Sequence, residues 1–289
     1  MVGQLRITLL AENTAGRRDI LAEHGLAFWV EAGDRRILFD TGQGLALAHN
    51  ARVLGVDLSA ADAVVLSHGH YDHAGGLAAL PDTFRQADLY VHPAGLEAKY
   101  GVRQGEPARF LGTSLGSLAE LEREMASVVA TRAPTRVADD IWVTGEIPHR
   151  NDFEDTGSWF YLDEAGTKPD PLLDDQAVYI ETADGLVVLL GCAHAGVVNT
   201  LEYIAAITGH GRVYAVLGGM HLVGAPPERI ERTIAALRDF GVQIIGPMHC
   251  TGLEATAAMM QAFPKQFLRV TAGSVVSFPA EPDPAQRSA

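Results

Sequence analysis

Cysteine and basic charge are both scarce in this sequence. Two of its 289 residues are cysteines, Cys192 and Cys250, and their separation rules out a C-x-x-C motif. Two cysteines are too few for a disulfide framework. Acidic residues outnumber lysine and arginine by 36 to 22, which gives a formal charge of −14, and no basic stripe is present. Nucleic acids and anionic membranes require clustered basic residues, so we expect neither as a partner.

Long hydrophobic runs are missing as well. No apolar run approaches the roughly 18 residues that a membrane-spanning helix needs, and residues 1–10 lack the charged start and long apolar core of a signal peptide. Hydrophobic residues still make up 47% of the chain, enough to bury a sizeable core. We therefore expect a soluble, cytoplasmic protein. The sequence leaves its oligomeric state open.

The order of the predicted elements favours the α/β (α+β) class. An early hairpin, with strands at 27–31 and 36–40, precedes a mixed run of strands and helices that ends in a strand pair at 268–278. This order predicts two sheets covered by helices rather than one parallel sheet. No linker divides the chain, so we predict one domain over residues 1–278. Residues 279–289 hold three prolines and few apolar residues, which predicts a disordered tail.

The most informative stretch is His68-Gly-His70-Tyr-Asp72-His73, directly after the apolar run at 63–66. Alternate residues of an extended segment share a face, so His68 and His70 can point to one side, and a following turn can present Asp72 and His73 from another. Imidazole and carboxylate ligands packed this closely suit zinc, iron or manganese better than calcium or magnesium. Two facing subsets also suit a pair of metal ions about 3.5–4 Å apart.

Three more apolar strands run into turns that carry a histidine. These turns contain His194 after Cys192, His221 after two glycines, and His249 before Cys250. Loops at strand ends are where α/β folds place their chemistry. The repeated context predicts His194 and His249 as metal ligands. It leaves His221 open between a residue of the site and a packed strand-end histidine.

At these motifs the sequence resembles the metallo-β-lactamase superfamily. The match rests on Leu38-Phe39-Asp40-Thr41-Gly42, on the H-x-H-x-D-H motif at 68–73, and on His194 and His249. The resemblance implies an αββα sandwich, with two mixed sheets flanked by helices and a dinuclear metal site at one edge between the sheets. It also implies that Asp40 braces the metal loop by hydrogen bonding. The implied ligands are His68 and His70 for the first metal, and Asp72, His73 and His249 for the second.

One departure from the family concerns the carboxylate that bridges both metals. Most members carry a third ligand histidine and, later, a Gly-Asp at a strand end, where this sequence has Gly191-Cys192-Ala193-His194. Either His194 serves as the missing ligand or the loop is arranged differently. The departure leaves open whether one or two ions bind. The other candidate replacements are Cys192, His149, Asp174 and Asp175.

Further blocks resemble a narrower subgroup of the family. This subgroup includes the 7,8-dihydropterin-6-methyl-4-(β-D-ribofuranosyl)-aminobenzene-5′-phosphate synthases. Its members need not share one substrate. The matching blocks lie at 144–148, 174–177, 191–199, 218–222 and 247–252.

The resemblance implies a metal-dependent hydrolase that attacks a phosphoester or acyl-type small molecule with metal-activated water. Asp72 would ligate a metal and orient or deprotonate the nucleophile, and His221 would donate a proton or hydrogen bond to the substrate. The first alternative is a transferase of the synthase type that displaces diphosphate. The second is a non-catalytic metal-containing binding protein. Zinc is the expected divalent metal, with manganese or iron as alternatives.

The polar loop at 145–171 is long enough to suggest a lid or binding loop. It contains Trp159, Phe160 and Tyr161, which could stack on a pterin-like ring or pack within the loop. His24, just before the second strand, could line the cleft, although a surface loop is the expected place for it.

Overall fold

The structure is a computed structural model that describes residues 2–155 and 158–278, so the predicted tail at 279–289 lies outside the described residues. The strands are β1 (Leu5–Ala11), β2 (Ala27–Ala32), β3 (Arg35–Phe39), β4 (Ala63–Val65), β5 (Asp88–Val91), β6 (Tyr100–Gly101), β7 (Arg109–Phe110), β8 (Ser127–Ala130), β9 (Thr135–Ala138), β10 (Ile141–Val143), β11 (Phe160–Tyr161), β12 (Ala177–Thr182), β13 (Gly185–Leu190), β14 (Val213–Gly219), β15 (Ile244–Met248) and β16 (Val275–Phe278). The helices are α1 (Leu47–Leu54), α2 (Tyr71–Ala79), α3 (Leu118–Glu124), α4 (Val197–Thr208), α5 (Pro227–Asp239) and α6 (Leu253–Ala262). Short 3-10 turns occupy Leu58–Ala60, Pro81–Thr83, Pro93–Leu96 and His249–Thr251.

Two large mixed sheets form the centre of the molecule. The first sheet has the strand order β16-β1-β2-β3-β4-β5-β8, and the second has the order β15-β14-β13-β12-β10-β9. A third, small sheet has the order β11-β6-β7, and in it β11 pairs part of the polar loop at 145–171 with β6. The alternating apolar residues of β1 and the nearly continuous apolar run of β13 explain why both sheets are buried.

The hydrophobic residues divide into layers that follow these sheets. One buried cluster joins the inner faces of both sheets, with Ile7 and Val30 on one side and Val187 and Leu217 on the other. A second cluster packs the outer face of the second sheet against helices α4, α5 and α6. A third packs the outer face of the first sheet against α1, α2 and α3. The predicted αββα sandwich is therefore confirmed.

The predicted strand pair at 268–278 is wrong. Within the described residues only Val275–Phe278 forms a strand there, and it pairs with β1. Residues before it make a turn in which Gly273 adopts φ +87°, a left-handed conformation that interrupts an extended chain. The sequence also did not predict β8 and β9, which are short and only partly buried.

One edge of the sandwich collects the ends of several strands. Strands β1 and β3 run the same way because each pairs antiparallel with β2, and β4 runs parallel to β3. In the second sheet β13, β14 and β15 are parallel to one another. The carboxyl ends of parallel strands lie at one edge of their sheet, so the residues after these strands meet there. In the described part of the chain, no helix is both long and apolar enough to cross a bilayer.

Candidate metal centre

His68 and His70 follow β4 on a short connection to α2. Nε2 of His68 lies 3.0 Å from Nδ1 of His70, and both rings are buried. The residue between them is Gly69, and only glycine fits there because a Cβ would lie 1.8 Å from the carbonyl oxygen of Gly95. The N–H of Gly69 donates to Asp174 over 2.7 Å, and this hydrogen bond holds the connection between β4 and α2 in place. The connection after β4 therefore brings the two imidazoles side by side, as their spacing in the sequence predicts.

Asp72 and His73 lie in the first turn of helix α2, not in an irregular turn. His73 is fully buried, and its Nδ1 donates to Oδ2 of Asp40 over 2.6 Å. Oδ2 of Asp72 lies 3.8 Å from Nε2 of His73. The helix thus presents a carboxylate and an imidazole beside the two histidines of the connection.

Asp40 braces both parts of the motif. It accepts the N–H of Ser67 at 2.6 Å and the hydroxyl of Ser67 at 2.7 Å, and the same hydroxyl lies 2.8 Å from Nδ1 of His68. Because Nδ1 of His68 and Nδ1 of His73 donate toward this carboxylate network, each Nε2 presents a lone pair to the cleft. We call Asp40 together with residues 67–73 the first-sheet half.

Five more side chains come from the ends of β13, β14 and β15, and His249 lies closest to the first-sheet half. Nε2 of His249 lies 3.1 Å from Nε2 of His73 and 3.4 Å from Oδ2 of Asp72. Its Nδ1 donates to the amide oxygen of Asn13 over 2.9 Å, so its Nε2 also carries a lone pair. We call Cys192, His194, His221, His249 and Cys250 the second-sheet half.

Cys192 and His194 follow β13 and are buried. The His194 ring packs against His68, with centroids 4.9 Å apart, and against His70 at 5.0 Å. Sγ of Cys192 lies 3.2 Å from Nε2 of His73. His221 follows β14, and its ring centroid lies 4.3 Å from that of His194.

Backbone strain is concentrated at this edge. Six non-glycine residues of the described chain have a positive φ, and four of them are Asp40, Ala193, His221 and His249. Such conformations persist where the surrounding structure enforces them, often at functional sites. Here His221 and His249 line the cleft, Asp40 braces the motif, and Ala193 lies between Cys192 and His194.

Burial lowers the pKa of His70 to about 4, and it also holds the pKa of His68 and of His194 well below the ordinary value. Burial acts on His73 too, but the carboxylates of Asp40 and Asp72 outweigh it and raise the pKa of His73 to about 9. Burial disfavours the charged carboxylate of Asp72, yet His73 and hydrogen bonds from His24 and His249 hold its pKa well below the ordinary value. His68, His70 and His194 are therefore neutral and Asp72 is an anion, the forms that bind metals, whereas His73 has to lose a proton when a metal binds.

These donors fit a divalent metal. Nε2 of His70 and both ring nitrogens of His194 are buried and have no hydrogen-bond partner among the described residues. Buried polar atoms are normally paired, so a ring without a protein partner calls for another one. The ligand atoms of His68, Cys192 and His194 lie within 4.8 Å of one another, and so do those of His73, Cys192 and His249. Nitrogen, sulfur and carboxylate donors at this spacing suit zinc or iron.

A cavity of about 240 Å³ opens onto these donors. Trp159 and Phe160 line it, whereas the hydroxyl of Tyr161 donates to the carbonyl oxygen of Ser158 over 3.3 Å. Arg109 lies at its wall, where it donates to the hydroxyl of Tyr71 over 2.6 Å. An aromatic wall with one cation suits a ring-bearing anionic ligand.

Several candidates from the sequence are not at the centre. His149 is exposed. Asp174 is held by Lys99, whose ammonium donates to it over 2.9 Å. Asp175 accepts the N–H of Ala195 over 2.9 Å, and burial raises the pKa of Asp175 to about 7. Both carboxylates support loops instead of facing the cavity, so neither replaces the missing Gly-Asp.

Sequence reasoning missed two residues and undervalued a third. His24, which we expected on a surface loop, lines the cavity, with Nε2 3.2 Å from Oδ2 of Asp72. Asn13 holds His249, and Glu12 accepts the N–H of His249 over 2.9 Å. The antiparallel order of β1, β2 and β3 could have indicated these residues, because the end of β1 and the start of β2 lie at the same edge as the end of β3.

Known proteins are similar to this chain in both sequence and fold. The family model described as "Metallo-beta-lactamase superfamily" matches residues 21–204. A 7,8-dihydropterin-6-methyl-4-(beta-D-ribofuranosyl)-aminobenzene-5'-phosphate synthase from Methanocaldococcus jannaschii is 32% identical, covering 96% of this chain and 98% of the relative.

Solved structures agree with this relationship. Tm1679, a metal-dependent hydrolase of the beta-lactamase superfamily, superimposes with a TM-score of 0.79 at 30% identity, covering 94% of this chain and 98% of that one. The Zn(2+)-bound PqqB from Methylobacterium extorquens has a TM-score of 0.56 at 15% identity, covering 94% and 99%, a likeness of fold alone. The predicted family, reached from the H-x-H-x-D-H motif and the strand-end histidines, is confirmed, and the chain belongs to the metallo-beta-lactamase superfamily.

Proposed function

We propose that the protein is a metal-dependent hydrolase that acts on a phosphoester or acyl-type small molecule through an activated water. The observation that carries this proposal is the pair of facing nitrogens in His73 and His249. Both Nδ1 atoms are engaged by other residues, and the two Nε2 atoms lie 3.1 Å apart. Two lone pairs at this distance repel unless a cation, a proton or a metal, lies between them. A proton on His73 would satisfy the two nitrogens alone, whereas a divalent metal would satisfy both nitrogens together with the carboxylate of Asp72.

The proposed ligands form two sets. A divalent metal held there, with zinc expected and manganese or iron as alternatives, would acidify a bound water and polarise the bond to be broken. The first set is His68, His70 and His194, and the second is Asp72, His73 and His249.

Two other side chains would act on the substrate and the proton. Oδ2 of Asp72 faces the cavity and can orient the attacking water and accept its proton. His221 lines the cavity, and its Nδ1 is buried without a hydrogen-bond partner in the described chain. It can donate a proton or a hydrogen bond to the oxygen that leaves. Arg109 and the aromatic wall would bind the rest of an anionic substrate.

The test measures turnover of bis(p-nitrophenyl) phosphate and of a lactone by purified protein, before and after chelation and after reloading with zinc. We expect turnover only in the metal-loaded protein, and we expect His68→Ala and Asp72→Ala to lower both bound metal and turnover. His210→Ala, which changes an exposed histidine, is the matched control. Unchanged metal content in both site variants would contradict the proposal. Metal binding without turnover of any substrate would instead favour a binding protein.

A transferase is the second candidate, favoured by the 32% identity to the synthase over nearly the whole chain. The same cavity would bind a diphosphate ester, and an aromatic amine or carbon atom would attack in place of water. The bond to diphosphate would break, and diphosphate would leave with its electron pair. Release of diphosphate that requires a second, nucleophilic substrate would support this function, whereas release into water alone would support the hydrolase.

A further inference from the structure

Cys192 lies between the two proposed ligand sets. It is buried, and its Sγ is within 4.8 Å of ring nitrogens of His68 and His194 on one side and of His73 and His249 on the other. It is the one residue that these two clusters have in common. Its position is therefore central to the site.

The local sequence brings this sulfur to the centre. A Cβ on Gly191 would lie 2.0 Å from Oγ of Ser67 and 3.1 Å from Oδ2 of Asp40. Only glycine allows the end of β13 to approach the first-sheet half so closely. The next residue, Cys192, consequently enters the space between the imidazoles.

The two carboxylates that the sequence offered as replacements for the bridging ligand are engaged elsewhere. Asp174 binds Lys99 and the N–H of Gly69, and Asp175 supports the loop at Ala195. Neither belongs to a cluster of potential ligands among the described residues. Among the described residues, Cys192 is the side chain placed between the two ligand sets.

We propose that Cys192 is a thiolate ligand that joins the two metal positions. This inference rests on the metal centre proposed above. A coordinating thiol loses its proton outright, and the thiolate sulfur can bind two ions at once. A soft sulfur ligand also selects zinc or iron over manganese. Cys192 would thereby set the metal preference of the enzyme.

The other cysteine provides the comparison. Cys250 is half-buried, its thiol donates to the carbonyl oxygen of Cys192 over 3.4 Å, and its sulfur accepts the N–H of His221 over 3.3 Å. Its Sγ is thus engaged with the backbone. It lies outside both clusters that contain the motif histidines, and its Sγ shares a third group of closely spaced donors with Cys192 and His221.

The primary experiment is zinc-edge X-ray absorption of the zinc-loaded wild-type protein, Cys192→Ser and Cys250→Ser. We expect a zinc–sulfur shell at about 2.3 Å in the wild type and in Cys250→Ser, and none in Cys192→Ser. A zinc-bound wild type without a sulfur shell would overturn the inference while leaving the metal centre intact. A shell that survives Cys192→Ser and disappears in Cys250→Ser would also overturn it. A wild type that binds no zinc would overturn both proposals.

Metal competition supplies a second measurement. Cys192→Asp replaces the sulfur with a harder oxygen ligand, so we expect its preference for zinc over manganese to fall by about tenfold or more, the scale of a perturbed metal ligand environment. His210→Asp, which adds the same carboxylate at an exposed position outside the site, should retain the wild-type preference. An equal preference in the wild type and Cys192→Asp, with both proteins folded and binding zinc, would contradict the proposed ligand.

Discussion

The two halves of the site are supported in different ways. In the first-sheet half, Asp40, Ser67 and Asp174 hold the motif histidines and their connection through direct hydrogen bonds. In the second-sheet half, both ring nitrogens of His194 and Nδ1 of His221 have no hydrogen-bond partner among the residues described. The first half is therefore held by the protein before any ligand binds. In the second half Asn13 holds His249, whereas His194 and His221 depend on what binds there, and this difference can be tested.

The largest expected effect comes from removing the support beneath the first-sheet half. Lys99 is 1% exposed and contacts Asp170 at 2.8 Å and Asp174 at 2.9 Å, and Asp174 in turn holds Gly69. Lys99→Met leaves two buried carboxylates without their cation. We expect a loss of about 3–5 kcal/mol in the free energy of unfolding, measured by urea titration. Lys168→Met, at an exposed lysine, should change it by less than about 0.5 kcal/mol.

The second-sheet half predicts a separation between metal binding and catalysis. His194→Ala should lower bound metal, because it removes a proposed ligand. His221→Asn should keep the metal and lower kcat by about 100-fold, because it removes a proton donor. Asparagine tolerates the left-handed backbone of His221, which has φ +46°. Elemental analysis and steady-state kinetics measure both effects, and loss of metal in His221→Asn would contradict the separation.

Asp40→Asn tests the brace of the first-sheet half. Asparagine tolerates the φ of +59° at this position but cannot accept the same charge-assisted hydrogen bonds. We expect zinc affinity to fall by about 10- to 100-fold, measured by competition with a chromophoric chelator. Asp62→Asn, at a partly exposed carboxylate, is the control. Equal affinities in Asp40→Asn and wild type would show that the brace is dispensable.

The same carboxylate predicts a pH dependence in chelator-treated protein. Burial lowers the pKa of His73, but the carboxylates of Asp40 and Asp72 outweigh burial and raise this pKa to about 9, above the value of about 6.5 in an unfolded chain. The stabilisation by protonated His73 is therefore full below about pH 6.5 and is lost as the pH rises through about 9. The stability difference between wild type and Asp40→Asn should shrink over this interval. A difference that grows with pH would contradict the role of His73.

The smallest effect is expected at His24. Its hydrogen bond to Asp72 raises the pKa of His24, but 57% of its side chain is exposed. Exposed ion pairs contribute at most about 1 kcal/mol, so His24→Ala should weaken zinc binding by roughly fivefold or less. His210→Ala should leave the zinc affinity unchanged in the same competition assay. A loss as large as that expected for Asp40→Asn would place His24 among the main supports.

Much of the fold could be predicted from local patterns. The prolines at 226 and 227 begin α5, and the apolar run before His68 forms β4, since these signals act over a few residues. The prediction of a strand pair at 268–278 was wrong because Gly273 turns the chain there. The pattern of apolar residues does not indicate which glycines adopt a left-handed conformation. The positions of Asn13 and His24 were missed because they depend on which strand ends share an edge.

The sequence by itself determined the family and the first-sheet half of the site, because six adjacent residues are sufficient to bring two histidines and the Asp72-His73 pair together. Tertiary structure decided the second half. His194, His221 and His249 come from three strands, and only the parallel pairing of β13, β14 and β15 brings their ends to one edge. The same pairing placed Cys192 between the imidazoles, a position that depends on how closely two sheets approach at Gly191 and Ser67.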